Sequence, residues 1–408
     1  MLIYENFKAK LLNILKFGIN PFKKFVSTGE LKEDLGLMKS RKDLLSTIME
    51  IIEDNENCIL PIIGDVGTGK THLYWALKNR MYYHNTIYLS LDEVYKRFFY
   101  TIYSEFIEVI GLDPLKNIVN QLVNDWGALE RKFGFFHVAG PEKIKVNALQ
   151  LIEDKFDDNE KVALHDVITG ITTHQLDPYK KIEAERWLLG KIMDIKELAH
   201  LNMMHDLTKN RNAYVMLKLL IENSKLGTII FIDDFENIIK SYTSTEDKEE
   251  VFDPSWLYGK EESPDEILSL KVLRRVLKLQ KINGLRLLIT LKSEASLDEV
   301  KKIISKVDEN IIPYIKSPLF LSEFLESDIY EFYIKNMENF LENGNFTKIP
   351  DELLEDYFPL TQEILENIYI MAKGNPREIL KILIKIFNEI IFSNRSLSEI
   401  QEKYKKLN

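Results

Sequence analysis

Cysteine is nearly absent from these 408 residues. Cys58 is the single one, so no internal disulfide framework can form, and a reducing, cytoplasmic compartment is the expectation. Long apolar runs are also missing. None approaches the roughly 18 residues that a membrane-spanning helix needs, so no membrane partner is expected. The N-terminal stretch MLIYENFKAKLLNILKFG interrupts its apolar positions with charges and offers no small-residue cleavage site, which reads against a signal peptide. There is no internal repeat, and the one biased stretch, 241–263, is acidic and rich in Ser, Thr, Pro and Gly. Secreted, fibrous, collagen-like and membrane-spanning classes are excluded on this reading.

What is present is ordinary globular material: 45% apolar and 29% charged residues, in a chain long enough for two or three domains of roughly 100–200 residues. The net charge of −10 is unevenly placed. Residues 233–266 carry 12 acids against 3 bases, whereas 371–408 hold 8 bases against 4 acids. A global acidic balance therefore says little about any one face, and a DNA partner stays open.

Residues 1–18 place Ile3, Phe7, Leu11 and Ile14 at helical spacing; Asn20-Pro21-Phe22 breaks that helix, and a second helical stretch follows over about 41–52. The pattern then changes. Cys58-Ile59-Leu60-Pro61-Ile62-Ile63 is a short apolar run ending at a glycine, consistent with a buried strand, and further strands fit 86–90, 228–232, 285–291 and, more weakly, 314–321. Residues 91–225 read as mostly helix, broken near Gly111-Leu112-Asp113-Pro114, Gly140-Pro141 and Asp177-Pro178, and about 322–400 is helical again. Strands alternating with helices argue for an α/β fold with a parallel sheet. The expected division is 1–90 for N-terminal helices and the first part of the core, 91–225 for a helical insertion, 226–321 for the rest of the core, and 322–408 for a helical lid.

Gly64-Asp65-Val66-Gly67-Thr68-Gly69-Lys70-Thr71 matches G-x-x-x-x-G-K-[ST] between an apolar run and a helix-forming run. The glycines let the backbone curl until several N–H groups point inward at phosphates, and the following helix adds its positive N-terminal end. Lys70 is expected to neutralise phosphate charge, the Thr71 hydroxyl to ligate Mg²⁺, and the stretch from Gly64 to His72 to form the ATP-binding segment. The run Thr228-Ile229-Ile230-Phe231-Ile232-Asp233-Asp234 delivers Asp233 to a strand's C-terminal end, where ligands of parallel sheets collect. Asp233 is the expected metal carboxylate. Asp234 is the candidate for orienting an attacking water; aspartate is one methylene shorter than glutamate there, so hydrolysis is expected to run slowly unless Glu236 assists.

A third run, Gly284-Leu285-Arg286-Leu287-Leu288-Ile289-Thr290, ends in a hydroxyl that is either a γ-phosphate sensor or a strand-end cap, with Ser293 as a second candidate. Near the end, Lys373-Gly374-Asn375-Pro376-Arg377 makes a sharp turn into a helix. A cation is mildly disfavoured in a first turn, so Arg377 points to a specific anion nearby. His200 and His205, five residues apart, lack the zinc spacing, and the basic residues of the terminus (Lys381, Lys385, Arg395, Lys403, Lys405, Lys406) read first as a solvated helix face.

Together, these two phosphate-site motifs, Thr290 and the Gly374-Asn375-Pro376-Arg377 turn resemble an AAA+ P-loop ATPase, most closely the archaeal origin-recognition and initiator type and related signalling ATPases with a helical lid. The resemblance covers about 20–90 and 226–395. It implies Mg²⁺-dependent ATP hydrolysis, a second-sensor role for Arg377, and for Asn20-Pro21-Phe22 the N-terminal segment that lies near adenine. Trp187-Leu188-Leu189-Gly190, Asn212, Leu217-Lys218 and Gly227 are similar in layout to ATP-binding proteins of BREX-type phage defence. Two features depart from the pattern. No arginine occurs between Arg286 and Arg377 to reach a neighbour's nucleotide, leaving Arg274, Arg275, Lys301 or Lys302 as substitutes, and about thirty residues follow Arg377, fewer than a winged-helix domain needs. Two functions stay open: a DNA-transacting ATPase, as a homo-oligomer or alone, or a slow nucleotide switch acting on a protein partner through 91–225.

Overall fold

The structure is a computed structural model that describes residues 2–23, 38–91, 97–132, 135–138, 140–238, 264–343 and 356–406. Its main sheet has five strands. These are β1 (Cys58–Ile63), β2 (His84–Ser90), β5 (Gly227–Asp233), β6 (Leu285–Leu291) and the short β7 (Leu319–Phe320), in the order β2-β5-β6-β1-β7; β3 (Leu129–Lys132) and β4 (Phe135–Val138) form a separate antiparallel hairpin. The pairs β2–β5, β5–β6 and β1–β7 are parallel. Register runs from His84 opposite Gly227 to Ser90 opposite Asp233, and Ile232 lies opposite Ile289. Every residue of β1 and β6 is buried, and in β5 all but Gly227, as expected of strands covered on both faces. No helix among the described residues is long and apolar enough to cross a membrane.

The strand expected over 314–321 is mostly something else. A 3-10 turn at Glu309–Tyr314 contains Pro313, Ile315 makes a single bridge to Ile59, and only Leu319–Phe320 pairs as a strand. Proline cannot donate to a ladder, so regular pairing is confined to residues beyond it. The β3–β4 hairpin was not expected at all within the helical stretch.

Two compact units emerge. One comprises residues 1–51, 62–80 and 318–408; the other comprises 52–61 and 81–317, so the boundary falls within β1. This grouping departs from the division expected from the sequence. The N-terminal helices and the phosphate-type loop group with the lid, whereas the 91–225 insertion groups with β2, β5 and β6.

In the first unit, α1 (Leu2–Leu15) and α2 (Lys39–Asp54) precede the loop, and α3 (Lys70–Arg80) follows it. The lid contributes α13 (Glu326–Asn343), α14 (Gln362–Ala372), α15 (Pro376–Phe392) and α16 (Leu397–Lys405). One apolar core runs through Leu11, Ile14 and Leu15 of α1 together with Tyr333, Ile364, Leu383, Phe387 and Ile400. Phe22 is fully buried in it, against Phe332, Tyr333 and Phe387 with ring centroids 5.0–6.2 Å apart. Asn20 Nδ2 donates to Ile384 O and Asn388 Oδ1, both at 2.9 Å. The Asn20-Pro21-Phe22 segment thus has its two functional side chains engaged by the lid core.

In the second unit, the insertion holds α4 (Phe98–Ile110), α5 (Leu112–Asp125), α6 (Pro141–Ile152), α7 (Asp158–Leu176), α8 (Lys181–Leu188), α9 (Ile195–His200) and α10 (Asn210–Glu222). The expected breaks hold: Gly111 separates α4 from α5 at φ +74°, Pro141 opens α6 and Asp177 ends α7. Trp187, Asn212, Lys218 and Gly227 have structural work here. Trp187 is fully buried, donates Nε1–H to His205 O at 3.1 Å, and lies so close to Gly170 that a Cβ there would meet its ring at 2.8 Å. Asn212 donates to Asp166 Oδ2 at 3.1 Å and Lys218 donates to Lys155 O at 2.9 Å. A Cβ on Gly227 would meet Arg286 Nη1 and the His84 ring.

Candidate functional site

The loop between β1 and α3 turns at Gly67 and Gly69, whose φ values of +89° and +104° are open to glycine at little cost. Its carbonyls are all occupied. Lys70, only 8% exposed, donates Nζ–H to Gly64 O at 2.7 Å and to Asp65 O at 3.3 Å, and the Thr68 hydroxyl also donates to Asp65 O, at 2.8 Å. The next three carbonyls are held from outside the loop. Val66 O accepts from Asn375 Nδ2 at 2.9 Å, Gly67 O from the Arg377 N–H at 3.2 Å, and Thr68 O from Arg41 Nη2 at 3.5 Å.

With the carbonyls occupied, the loop's remaining capacity is donor capacity. Among the described residues the N–H groups of Gly67, Gly69 and Lys70 donate to nothing, and they precede the positive end of an 11-residue helix. Such a set of donors suits an anion and no cation. A phosphate group fits it. Thr71 and His72 lie in the first turn of α3, Thr71 exposed and His72 half-buried; Asp65 and Val66 are exposed at the loop's rim.

Arg41, near the start of α2, had no place in the sequence reading. It is 8% exposed, donates to Ser322 O as well as to Thr68 O, and lies 5.5 Å from the centroid of the Phe324 ring. Burial pushes its guanidinium below the usual range, opposed by the charges of Asp328 and Glu323. The missed signal is the one noticed at Arg377: a cation in a helix's first turn, against the helix dipole. The Arg377 side chain itself is exposed, and among the described residues it takes no partner.

In the second unit, Asp233 ends β5 and is 7% exposed. Its Oδ1 accepts the Thr290 hydroxyl at 2.6 Å and the Asp234 N–H at 3.1 Å, while Oδ2 accepts the Tyr88 hydroxyl at 2.9 Å. Three donors fix the carboxylate in place. Thr290 is fully buried, and its Oγ also accepts the Asp234 N–H at 2.9 Å. It supports Asp233. Ser293 is likewise structural, capping α12 (Glu294–Val307).

Asp234 is exposed and sits at φ +48°, a left-handed conformation that aspartate tolerates better than most residues. Glu236 is 3% exposed and neither oxygen accepts a hydrogen bond, although Lys292 Nζ lies 3.5 Å away. Among the described residues no group of three or more His, Cys, Asp or Glu side chains could hold a metal. Of the substitute cations, Arg275, in α11 (Pro264–Leu279), is half-buried with its guanidinium pushed down by burial, while Arg274 and Lys302 are exposed and Lys301 is half-buried.

Compared with models of known protein families the chain matches none, and no curated protein matches it.

Proposed function

We propose that this chain is a Mg²⁺-dependent ATP-binding protein and ATPase of the AAA+ type. The observation that carries the reading is the loop of residues 64–70, whose carbonyls are occupied while the N–H groups of Gly67, Gly69 and Lys70 are left to an anion. Asp233 ends β5, and in a parallel sheet ligands collect at the carboxyl ends of strands. Mg²⁺, when bound, withdraws charge from the phosphate oxygens. In this reading Lys70 and the loop N–H groups bind the β- and γ-phosphates, and the Thr71 hydroxyl and Asp233 hold the ion. Thr290 and Tyr88 keep the Asp233 carboxylate oriented. Asp234 orients the attacking water, and Arg377 reaches the phosphates from the lid.

For what the nucleotide serves, the resemblance to initiator ATPases favours DNA. A second reading, a slow switch acting on a protein partner through 91–225, has a specific observation behind it. The basic residues of the lid are mostly paired with acids of the same unit: Lys381 with Glu378, Lys403 with Glu389, Lys405 with Glu363 and Lys406 with Glu402, at 2.6–3.3 Å. Charges so paired contribute little to a phosphate backbone contact. The insertion meanwhile exposes Tyr179, Ile182, Ile195 and Met204 at 76–91%.

The test is ATP turnover across a range of protein concentrations, with and without duplex DNA, using Lys70→Ala as the blank. Turnover that rises with concentration and with DNA supports a DNA-transacting assembly. Slow turnover indifferent to both supports the switch. A rate equal to the blank overturns hydrolysis.

A further inference from the structure

The Asn375 side chain has two jobs that do not require each other. Its Oδ1 caps α15, accepting the N–H groups of Arg377 at 3.1 Å and Glu378 at 3.3 Å. Its Nδ2 donates at 2.9 Å to Val66 O, a residue 309 positions away. The cap alone accounts for an Asn at this position, since Ser, Asp and Thr cap as well. Only a side chain that is acceptor at one end and donor at the other also holds the loop carbonyl.

The surroundings are built around that contact. Gly67 faces Asn375 so closely that a Cβ would meet Asn375 Oδ1 at 2.7 Å and Arg377 Cβ at 2.9 Å. The Arg377 N–H is shared between Asn375 Oδ1 and Gly67 O. Gly374, at φ +74°, gives its carbonyl to the Phe324 N–H at 2.8 Å, which fixes the turn that presents Asn375. Fixing Val66 O and Gly67 O from the lid orients two successive peptide planes, and with them the Gly67 and Thr68 N–H groups on their other side.

We propose that Asn375 is a positioning residue for the phosphate loop. Through its amide the lid sets the direction of the loop's N–H groups, independently of the Arg377 side chain. The consequence for nucleotide affinity rests on the ATP-binding reading; the consequence for the loop backbone does not.

Asn375→Ser keeps a cap and lacks the donor reach, and it adds no charge. Asn375→Asp keeps the cap and replaces the donor with a second acceptor. Asn375→Ala loses both. Two measurements on the full chain separate the outcomes: amide hydrogen exchange at the Thr68 N–H, which donates to Asp65 O at 3.3 Å, without nucleotide, and affinity for Mg²⁺-ATP, each beside the thermal midpoint. The expected result for Asn375→Ser is loop exchange at least tenfold faster and affinity about tenfold weaker, at a midpoint close to that of the parent. Asn375→Asp matches it in exchange. Asn375→Ala adds a lower midpoint. Unchanged loop exchange in Asn375→Ser and Asn375→Asp overturns the proposal, as does a loss that tracks the midpoint across all three variants. If the parent chain fails to bind Mg²⁺-ATP, the functional reading fails, and the exchange data still decide the role of Asn375.

Discussion

The two compact units immobilise their key polar groups by opposite means. In the first, the groups offered to a ligand are backbone N–H donors, and they are aimed indirectly, by bonds to the carbonyls from Asn375, Arg377 and Arg41. In the second, the group offered is a side-chain carboxylate, and it is gripped directly, by the Thr290 and Tyr88 hydroxyls. A loop has no ladder to keep its peptides in place, so its geometry is borrowed from elements distant in sequence. A strand end has that ladder already, and Asp233 is held by side chains across the sheet, one from β6 and one from β2. The difference implies that the loop is sensitive to its supports, whereas the carboxylate is sensitive to its own contacts.

Perturbations of decreasing size sharpen this contrast. Lys70→Ala removes the cation that ties Gly64 O and Asp65 O and neutralises phosphate; turnover is expected to drop by about a hundredfold or more, read in a steady-state ATPase assay. Equal rates in parent and variant would break the comparison at its base. Gly67→Ala places a Cβ at φ +89° against the lid turn and is expected to cost about 3 kcal/mol in denaturant titration. A neutral result there would mean that the loop does not depend on its supports.

Thr290→Val removes the hydroxyl donor from the buried Asp233 carboxylate, a loss of about 2 kcal/mol that Thr290→Ser restores. If serine does not rescue, packing and not the hydroxyl holds the carboxylate. The smallest effect is a pH dependence at the other end of the same strands. His84 sits beside Arg286 with Nδ1 buried and unpartnered; burial first, then the Arg286 charge, lowers its pKa from the ordinary 6.5 to about 4. The unfolded chain therefore takes up a proton before the native one does. Stability contributed by neutral His84 is complete above about pH 6.5 and declines as pH falls towards 4. His84→Gln is expected to flatten that decline in urea titrations between pH 7 and pH 4.5, and an unchanged slope would assign the decline to other groups.

Much of the sheet was legible because its strands are continuous apolar runs. The expected 285–291 is the observed β6, and 228–232 lacks one residue at each end of β5. The phosphate-type loop was legible through its glycines, and Asp233 through its place after four apolar residues. The hairpin was not, since two four-residue strands within helical surroundings give no period to read. Nor was Thr290's role, because a hydroxyl after an apolar strand is the same signal whether it faces a ligand or a neighbouring carboxylate. The contacts of Asn375 with Val66 and of Arg41 with Thr68 bridge segments with no local pattern in common. The packing of Phe22 against three aromatic rings of distant helices was likewise beyond any local pattern.

The bond from Asn20 to Ile384 spans 364 positions, and the core around it unites α1 with α15 and α16. On a ribosome adding roughly 5–20 residues per second, Leu11, Ile14 and Phe22 emerge on the order of 20–70 s before their partners exist. Throughout that interval the nascent chain trails a bare greasy helix. Holdase chaperones that grip such segments would find a client in α1, and release would wait for α15 and α16 to leave the tunnel.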